Sequence, residues 1–301
     1  MAVFTSFSEE SLKRYLVMFD RGDLADCQPI EGGIENSNYF VTLDKAGAVS
    51  TYVLTIMENH DFGEVPFFTR LLAHLQRLNL PVAAPVMTLD GMTSTIFCGK
   101  PTLLFPCLAG GHVLAPAEAH CEEIGRFIAR SHMAVSDLAA HRDNPYSPSW
   151  MEASLSSVTV MDTGTRRLLT GIIEEYRSLL ASDLPRGVIH GDLFRDNALF
   201  EGNRLCGVID YYHACHDLLI QDLAVALNDW CLNEDSSLDA PRISAMISGY
   251  ESVRPLLDEE HQSLPAMQRV SAARFALTRF ESGDPPLKDP GQMIRLASWL
   301  T

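Results

Sequence analysis

Near the middle of the chain, three polar residues have the types and spacings that phosphoryl transfer requires. The segment His190-Gly191-Asp192-Leu193-Phe194-Arg195-Asp196-Asn197 is followed by Val208-Ile209-Asp210-Tyr211, a pattern of H-G-D-x-x-x-x-N and then I-D. Asp192 is an acceptor for the proton of a substrate hydroxyl. Asn197 and Asp210 offer an amide oxygen and a carboxylate, the hard donors that Mg²⁺ prefers, and are read as metal ligands beside the phosphates of a nucleoside triphosphate. Apolar runs at Gly187-Val188-Ile189, Ala198-Leu199-Phe200 and Leu205-Cys206-Gly207-Val208-Ile209 surround these loops, with a turn at Glu201-Gly202-Asn203. They are expected to be short strands that hold Asp192 and Asp210 towards one cleft.

The elements upstream fit a nucleotide lid. Ser6-Phe7-Ser8-Glu9 resembles a capping box, and Leu12, Tyr15, Leu16 and Phe19 then predict a first helix over residues 8–20. A glycine-bearing loop, Ile30 to Asn38, runs into a strand ending near Val41, and Tyr52–Ile56 makes a second strand after the turn at Asp44–Gly47. Glycines let backbone N–H groups approach phosphate oxygens, so Gly32, Gly33, Asn36, Ser37 and Asn38 are candidate nucleotide contacts. Phe67, Phe68, Leu71, Leu72, Leu75 and Leu78 form an amphipathic helical stripe. Val86–Leu89 and Thr95–Phe97 are expected to pair as a hairpin around Asp90-Gly91.

Thr102–Phe105 reads as a further strand that ends at Pro106-Cys107-Leu108-Ala109-Gly110-Gly111, the candidate hinge. Beyond it helical patterns dominate, near 116–133, 165–181, 218–231, 240–251 and 261–280. The fold class is therefore α+β and bilobal: a strand-rich nucleotide-binding lobe over 1–107 and a mainly helical catalytic and substrate-binding lobe over 108–301. ATP would lie in the cleft with adenine against the hinge, making Phe105 and Cys107 candidate contacts; closure would exclude water from the γ-phosphate.

Composition narrows the partners. The 301 residues carry 47 % hydrophobic and 21 % charged residues, as an ordinary globular protein does. A net charge of −16 argues against nucleic acid or an anionic membrane, which call for a basic face. Seven cysteines include no C-x-x-C pair, so they read as reduced thiols rather than a zinc site or a disulfide framework. The first residues lack the basic start and apolar run of a signal peptide, and no uncharged apolar run approaches the about 20 residues that cross a bilayer. The expected location is cytoplasmic. Oligomeric state is not legible.

With Gly191 after His190 and Tyr211 after Asp210, the chain resembles the aminoglycoside phosphotransferase and choline kinase superfamily, with its protein-kinase-like fold. Met1-Ala2-Val3-Phe4-Thr5, Gly33–Phe40, Pro66-Phe67-Phe68, the His190–Asn197 loop, Leu223–Cys231 and Arg274–Arg279 are similar to the homoserine kinases of that superfamily. The resemblance implies transfer from ATP, with Mg²⁺, to the γ-hydroxyl of L-homoserine on the route to threonine. It implies Asp192 as base, His190 as the residue that orients the loop, Asn197 and Asp210 as magnesium ligands, and Asp222 as a buried brace of the catalytic loop. One departure stands out. No lysine occurs between Lys45 and Lys100, so the third-strand lysine that grips phosphates in protein kinases is missing, and backbone N–H groups from Gly32 to Asn38 are expected to take more of that work.

Acceptor chemistry suggests the remaining candidates. A carboxylate calls for an arginine, and Arg195, Arg274 and Arg279 are available. An ammonium suits an acid beside an aromatic wall, and Tyr211, Tyr212, Asp229 and Trp230 supply those types. Another small hydroxylated amine (an aminoglycoside, choline) or a sugar would suit the same chemistry. The missing lysine also leaves open a nucleotide-binding pseudokinase, although intact Asp192, Asn197 and Asp210 argue for catalysis.

Overall fold

The computed structural model describes residues 4–30, 35–233, 237–281 and 289–300. The chain divides into two compact units, Met1–Ala109 and Gly110–Thr301.

The first unit is built on a five-stranded antiparallel sheet in the order β1-β2-β3-β5-β4, from β1 (Asp23–Pro29), β2 (Asn36–Lys45), β3 (Ala48–Met57), β4 (Thr95–Phe97) and β5 (Lys100–Pro106). Helix α1 (Glu9–Leu16) is capped by Ser8, whose Oγ accepts from the Ser11 N–H at 3.2 Å, and a short 3₁₀ turn over Val17–Phe19 prolongs it. Its Leu12, Tyr15 and Leu16 pack with Tyr39, Val41, Leu43, Leu54 and Ile56 into one core on one face of the sheet. Two tight hairpins form where consecutive residues reach positive φ: Ala46-Gly47 joins β2 to β3, and Cys98-Gly99 joins β4 to β5. Helix α2 (Val65–Arg77) buries Phe67, Phe68, Leu71, Leu72 and Leu75, as its stripe predicts, but Leu78, one residue past its end, is exposed.

Two expectations change here. Val86–Leu89 is not a strand: its N–H groups go to separate partners, Val86 to Leu104 O, Thr88 to Met92 O and Leu89 to Met18 O, so no ladder forms. The residues of β4 pair instead with β5, and the edge strand β1 is additional, since Asp23-Leu24-Ala25-Asp26-Cys27-Gln28-Pro29 carries little apolar alternation.

The second unit is mainly helical: α3 (Glu118–Ala134), α4 (Pro148–Ser157), α5 (Thr163–Leu180), α6 (Ile220–Trp230), α7 (Ala240–Glu251), α8 (Asp258–Glu281) and α9 (Pro290–Trp299). Two small ribbons are set among them: β6 (Arg186–Ile189) with β9 (Cys215–Leu218), and β7 (Ala198–Glu201) with β8 (Arg204–Val208). The short strands expected around the polar loops are present, while β9, α4 and α9 are additional. Helices α3 and α7 cross at glycines. A Cβ on Gly249 would strike the Glu122 carbonyl, and one on Gly125 the Met246 carbonyl. Gly249→Ala is accordingly expected to cost about 3 kcal/mol, since backbone cannot yield as a flexible side chain does. Urea unfolding checks this, and a loss within 0.5 kcal/mol, roughly the scatter of neutral surface changes, would refute the close crossing.

Candidate active site

The second unit gathers the His190–Asn197 loop between its two ribbons. β6 ends at Ile189, and the chain turns through Gly191 at φ +76°, where an added Cβ would lie 3.0 Å from the His213 carbonyl oxygen. Asp192 follows, its side chain 15 % exposed. The Phe194 N–H donates to Asp192 O at 2.8 Å, and a 3₁₀ turn over Arg195–Asn197 carries the chain into β7.

Asn197 is tied to Asp192 twice. Its Nδ2 donates to the Asp192 backbone oxygen at 2.8 Å and to Oδ2 at 3.1 Å. Using the nitrogen this way leaves Oδ1 as an oxygen donor. Asn197 precedes β7 and Asp210 follows β8, and Ala198 pairs with Val208, so both lie at the same end of one hairpin. The Ile209 N–H to Asn197 O bond of 3.0 Å fastens that end. Asp210 is exposed and left-handed (φ 62°, ψ 62°), a conformation an aspartate tolerates better than most residues. One carboxylate and one amide oxygen suit Mg²⁺, which keeps several waters and takes its remaining ligands from phosphates.

His190 is buried, and its tautomer follows from its neighbours. Nε2 lies 3.0 Å from the Ile209 carbonyl, which only accepts, while Nδ1 accepts from the Asp192 N–H at 3.2 Å. Burial depresses its pKa, in keeping with a neutral ring that ties Asp192 to the β8 exit. Asp222, on α6 and 2 % exposed, closes the loop from behind. It accepts from the backbone N–H groups of His190 at 2.8 Å and Gly191 at 2.7 Å, and from His132 Nε2 at 3.1 Å. The bracing role expected of Asp222 thus has explicit geometry. Burial raises the Asp192 pKa, against the opposing charges of His213, Arg274 and His190.

The other candidates separate. Asp229 is paired within the protein: it accepts from Arg195 N at 2.8 Å, from Nε at 3.1 Å and from a terminal guanidinium nitrogen at 3.3 Å. Trp230 is fully buried and donates from Nε1 to Leu193 O at 3.1 Å, so it stands behind the catalytic loop rather than forming an open aromatic wall. Tyr211 is 3 % exposed, with its ring 4.4 Å from that of His190, and Tyr212 is buried. Arg279 donates to Asp289 O at 2.9 Å and to Gln292 Oε1 at 3.2 Å. Arg274 alone among the three arginines reaches Asp192, at 3.8 Å from Oδ1. His213 and Tyr146 were not foreseen; His213 Nε2 lies 4.0 Å from Asp192 Oδ2, and its Nδ1 lies 2.9 Å from the Tyr146 hydroxyl.

In the first unit, strand alternation sorts the nucleotide candidates by face. Asn38 pairs with Thr55, Phe40 with Val53, Val53 with Phe105 and Thr55 with Leu103, so these residues share the face opposite α1. Thr55 Oγ1 donates to Asn38 Oδ1 at 2.7 Å, and Asn36 Oδ1 accepts from the Glu58 N–H at 3.3 Å. Ser37 lies on the α1 face instead. Its Oγ accepts from the Phe4 and Thr5 N–H groups at 2.8 and 2.9 Å and donates to Glu58 at 2.5 Å, so its hydroxyl is spent on anchoring the N-terminal segment. Cys107 is exposed just past β5, and Gly32 and Gly33 lie outside the described residues. Lys100, at the start of β5, forms an ion pair with Glu58 within that anchoring cluster. It therefore does not replace the absent third-strand lysine. His60 is held by Glu64 at 3.2 Å and packs edge-on to Phe68.

An N-terminal antiparallel sheet, a helical second unit, and an H-G-D loop hydrogen-bonded to an asparagine and followed by a lone aspartate define a phosphoryl-transfer enzyme of the kinase-like fold. The chain belongs to the phosphotransferase enzyme family APH, whose model matches residues 26–256. The homoserine kinase of Methylobacillus flagellatus is 43 % identical over 280 residues, covering 93 % of this chain and 86 % of that protein. The homoserine kinase of Pseudomonas aeruginosa is 38 % identical over 307 residues, covering 99 % and 96 %. Among solved structures the amicoumacin kinase hAmiN aligns with a TM-score of 0.76 over 98 % of this chain and 92 % of its own, at 17 % identity, a likeness of fold. Among the described residues no helix is long and apolar enough to cross a membrane.

Proposed function

We propose that this chain transfers the γ-phosphoryl group of ATP to the side-chain hydroxyl of L-homoserine. The observation that carries the reaction is the Asn197–Asp192 pair at the mouth of the β7–β8 hairpin, with Asp210 beside it. The acceptor follows from the relatives named homoserine kinase, which match nearly the whole chain. The same likeness favours homoserine over choline or an aminoglycoside.

Asp192 receives the hydroxyl proton as the oxygen attacks phosphorus and the bond to the β-phosphate oxygen breaks, releasing ADP. Its partly buried position favours the protonated product of that step, which suits a base. Asn197 holds the carboxylate in place through Nδ2, and its Oδ1 together with Asp210 would hold Mg²⁺. The metal, when bound, neutralises charge that develops on the phosphates. On the first unit, Asn36, Asn38 and Phe105 are the side chains we assign to the nucleotide. A cytoplasmic location accords with this metabolic role.

ADP release with Mg-ATP, measured against L-homoserine, choline and an aminoglycoside, tests the proposal. Homoserine should give turnover well above the others; absence of turnover with homoserine would overturn the reading. Asp210→Ala should remove the magnesium dependence of nucleotide binding, and retained dependence would place the ligand elsewhere.

A further inference from the structure

Three arginines were available for an acceptor carboxylate, and the structure separates them. Arg195 is filled: Asp229 takes its Nε–Nη2 edge and Leu114 O accepts from Nη1 at 3.1 Å. Arg279 is turned to Asp289 and Gln292 on the α9 side. Arg274, on α8, is different. It is 4 % exposed, yet among the described residues its guanidinium makes one hydrogen bond, to His213 Nδ1 at 3.3 Å. Its 3.8 Å approach to Asp192 is too long for another.

The orientation of Arg274 is nevertheless fixed. Its guanidinium carbon lies 3.8 Å from the centre of the Tyr146 ring and 3.9 Å from that of Phe275. Aromatic contacts of this kind hold a guanidinium by its faces and leave its N–H edges for planar anions. Tyr146 is itself held: its N–H donates to Asn144 Oδ1 at 2.8 Å, and its ring meets Trp150 at 4.8 Å. Because arginine can only donate, His213 Nδ1 must be the unprotonated nitrogen, which puts the ring proton on Nε2, the atom nearer Asp192. A near-buried cation with most of its donors unused beside the catalytic carboxylate is incomplete. A ligand carboxylate completes it through paired charge-assisted bonds. Asn197 holds Oδ2 of Asp192, and Arg274 stands nearest the other oxygen, Oδ1, which is left for the acceptor.

We propose that Arg274 is the clamp for the acceptor's carboxylate, with Tyr146 and His213 as the frame that aims it, and that this clamp makes the enzyme select an amino acid over the corresponding amino alcohol. The assignment rests on the homoserine reading above and names the residue that enforces it.

The test compares L-homoserine with 3-amino-1-propanol, the same molecule without its carboxylate, in the wild type, Arg274→Gln and Arg274→Lys. In Arg274→Gln, the ratio of kcat/KM for homoserine to that for the amino alcohol should fall about 100-fold, the loss of a paired charge-assisted contact. Arg274→Lys should lie between, since an ammonium keeps charge but not the fork. Equal losses for both acceptors would mean that Arg274 serves Asp192 or the phosphates, and would overturn the clamp. Thermal shift gives a readout apart from turnover. L-Homoserine should raise the Tm of the wild type more than that of Arg274→Lys, while Mg-ATP raises both equally; an undiminished homoserine shift in Arg274→Lys would refute the assignment even if Arg274→Gln fails to fold. Failure of the wild type to turn over homoserine would strike the acceptor reading itself, a separate and visible result.

Discussion

Asp192→Asn should lower kcat by about 10³-fold, within the range that a positioned base supplies, and change nucleotide affinity little. The side chain keeps its shape, and its remaining oxygen can still accept from Asn197 Nδ2, now 3.1 Å from Oδ2. What disappears is the charge that takes the hydroxyl proton. Arg274 and His213 also lose the anion they face at 3.8 and 4.0 Å, so the variant should bind homoserine no less well, with its carboxylate competing for a freer Arg274. The expected pattern is therefore a fall in kcat with KM for both substrates nearly unchanged, the mark of an interaction made in the transition state. Steady-state kinetics with purified variant checks it. Activity within tenfold of wild type would mean that transfer proceeds without proton acceptance by this residue.

The sequence displayed the reaction far better than its surroundings. Asp192, Asn197 and Asp210 are close in the chain and bounded by short apolar runs, so local spacing alone placed them on loops beside strands, and β6, β7 and β8 confirm the placement. The strand-rich first part, the helical second part and most helices followed from periodicity for the same reason. What escaped depends on pairing between distant residues. Tyr146 meets His213 across 67 positions, and His132 meets Asp222 across 90. No period connects them. Strand β1 has too little apolar alternation to be seen, and the β4–β5 hairpin hides behind Cys98, whose positive φ is unusual for a residue other than glycine. Asp229 and Trp230 have the right types for an ammonium site, yet type does not reveal orientation: one is consumed by Arg195 and the other faces inward. Ser37 shows the same limit, since a one-residue step along a strand moved it to the opposite face from Asn38.

Asp222→Ala should be the most damaging single change to the fold, with a loss of about 4 kcal/mol and little residual activity. The carboxylate is 2 % exposed and satisfies three donors, the His190 and Gly191 N–H groups and His132 Nε2. Alanine leaves all three without an acceptor beside a cavity, and each such orphan costs of order 1–3 kcal/mol. Asp222→Asn keeps the volume but turns an NH₂ towards one donor, so it should be nearly as harmful. Gly191 is left-handed and wedged against the His213 carbonyl, so without the two backbone bonds the loop has no reason to hold Asp192 in place. The pH dependence has a definite sign. Burial raises the Asp222 pKa, but His132, His190 and the Gly191 N–H outweigh it and bring the native value below the ordinary carboxylate range. On acidification the unfolded chain binds this proton first. The stabilisation is therefore fully present above the unfolded pKa of about 4 and drains away as pH falls through the lower native value. Urea unfolding of wild type and Asp222→Asn at neutral pH and at stepped acidic pH provides the measurement. The gap between them should narrow towards acid; a gap that is small at neutral pH, or constant on acidification, would show that Asp222 is not the charged brace of the catalytic loop.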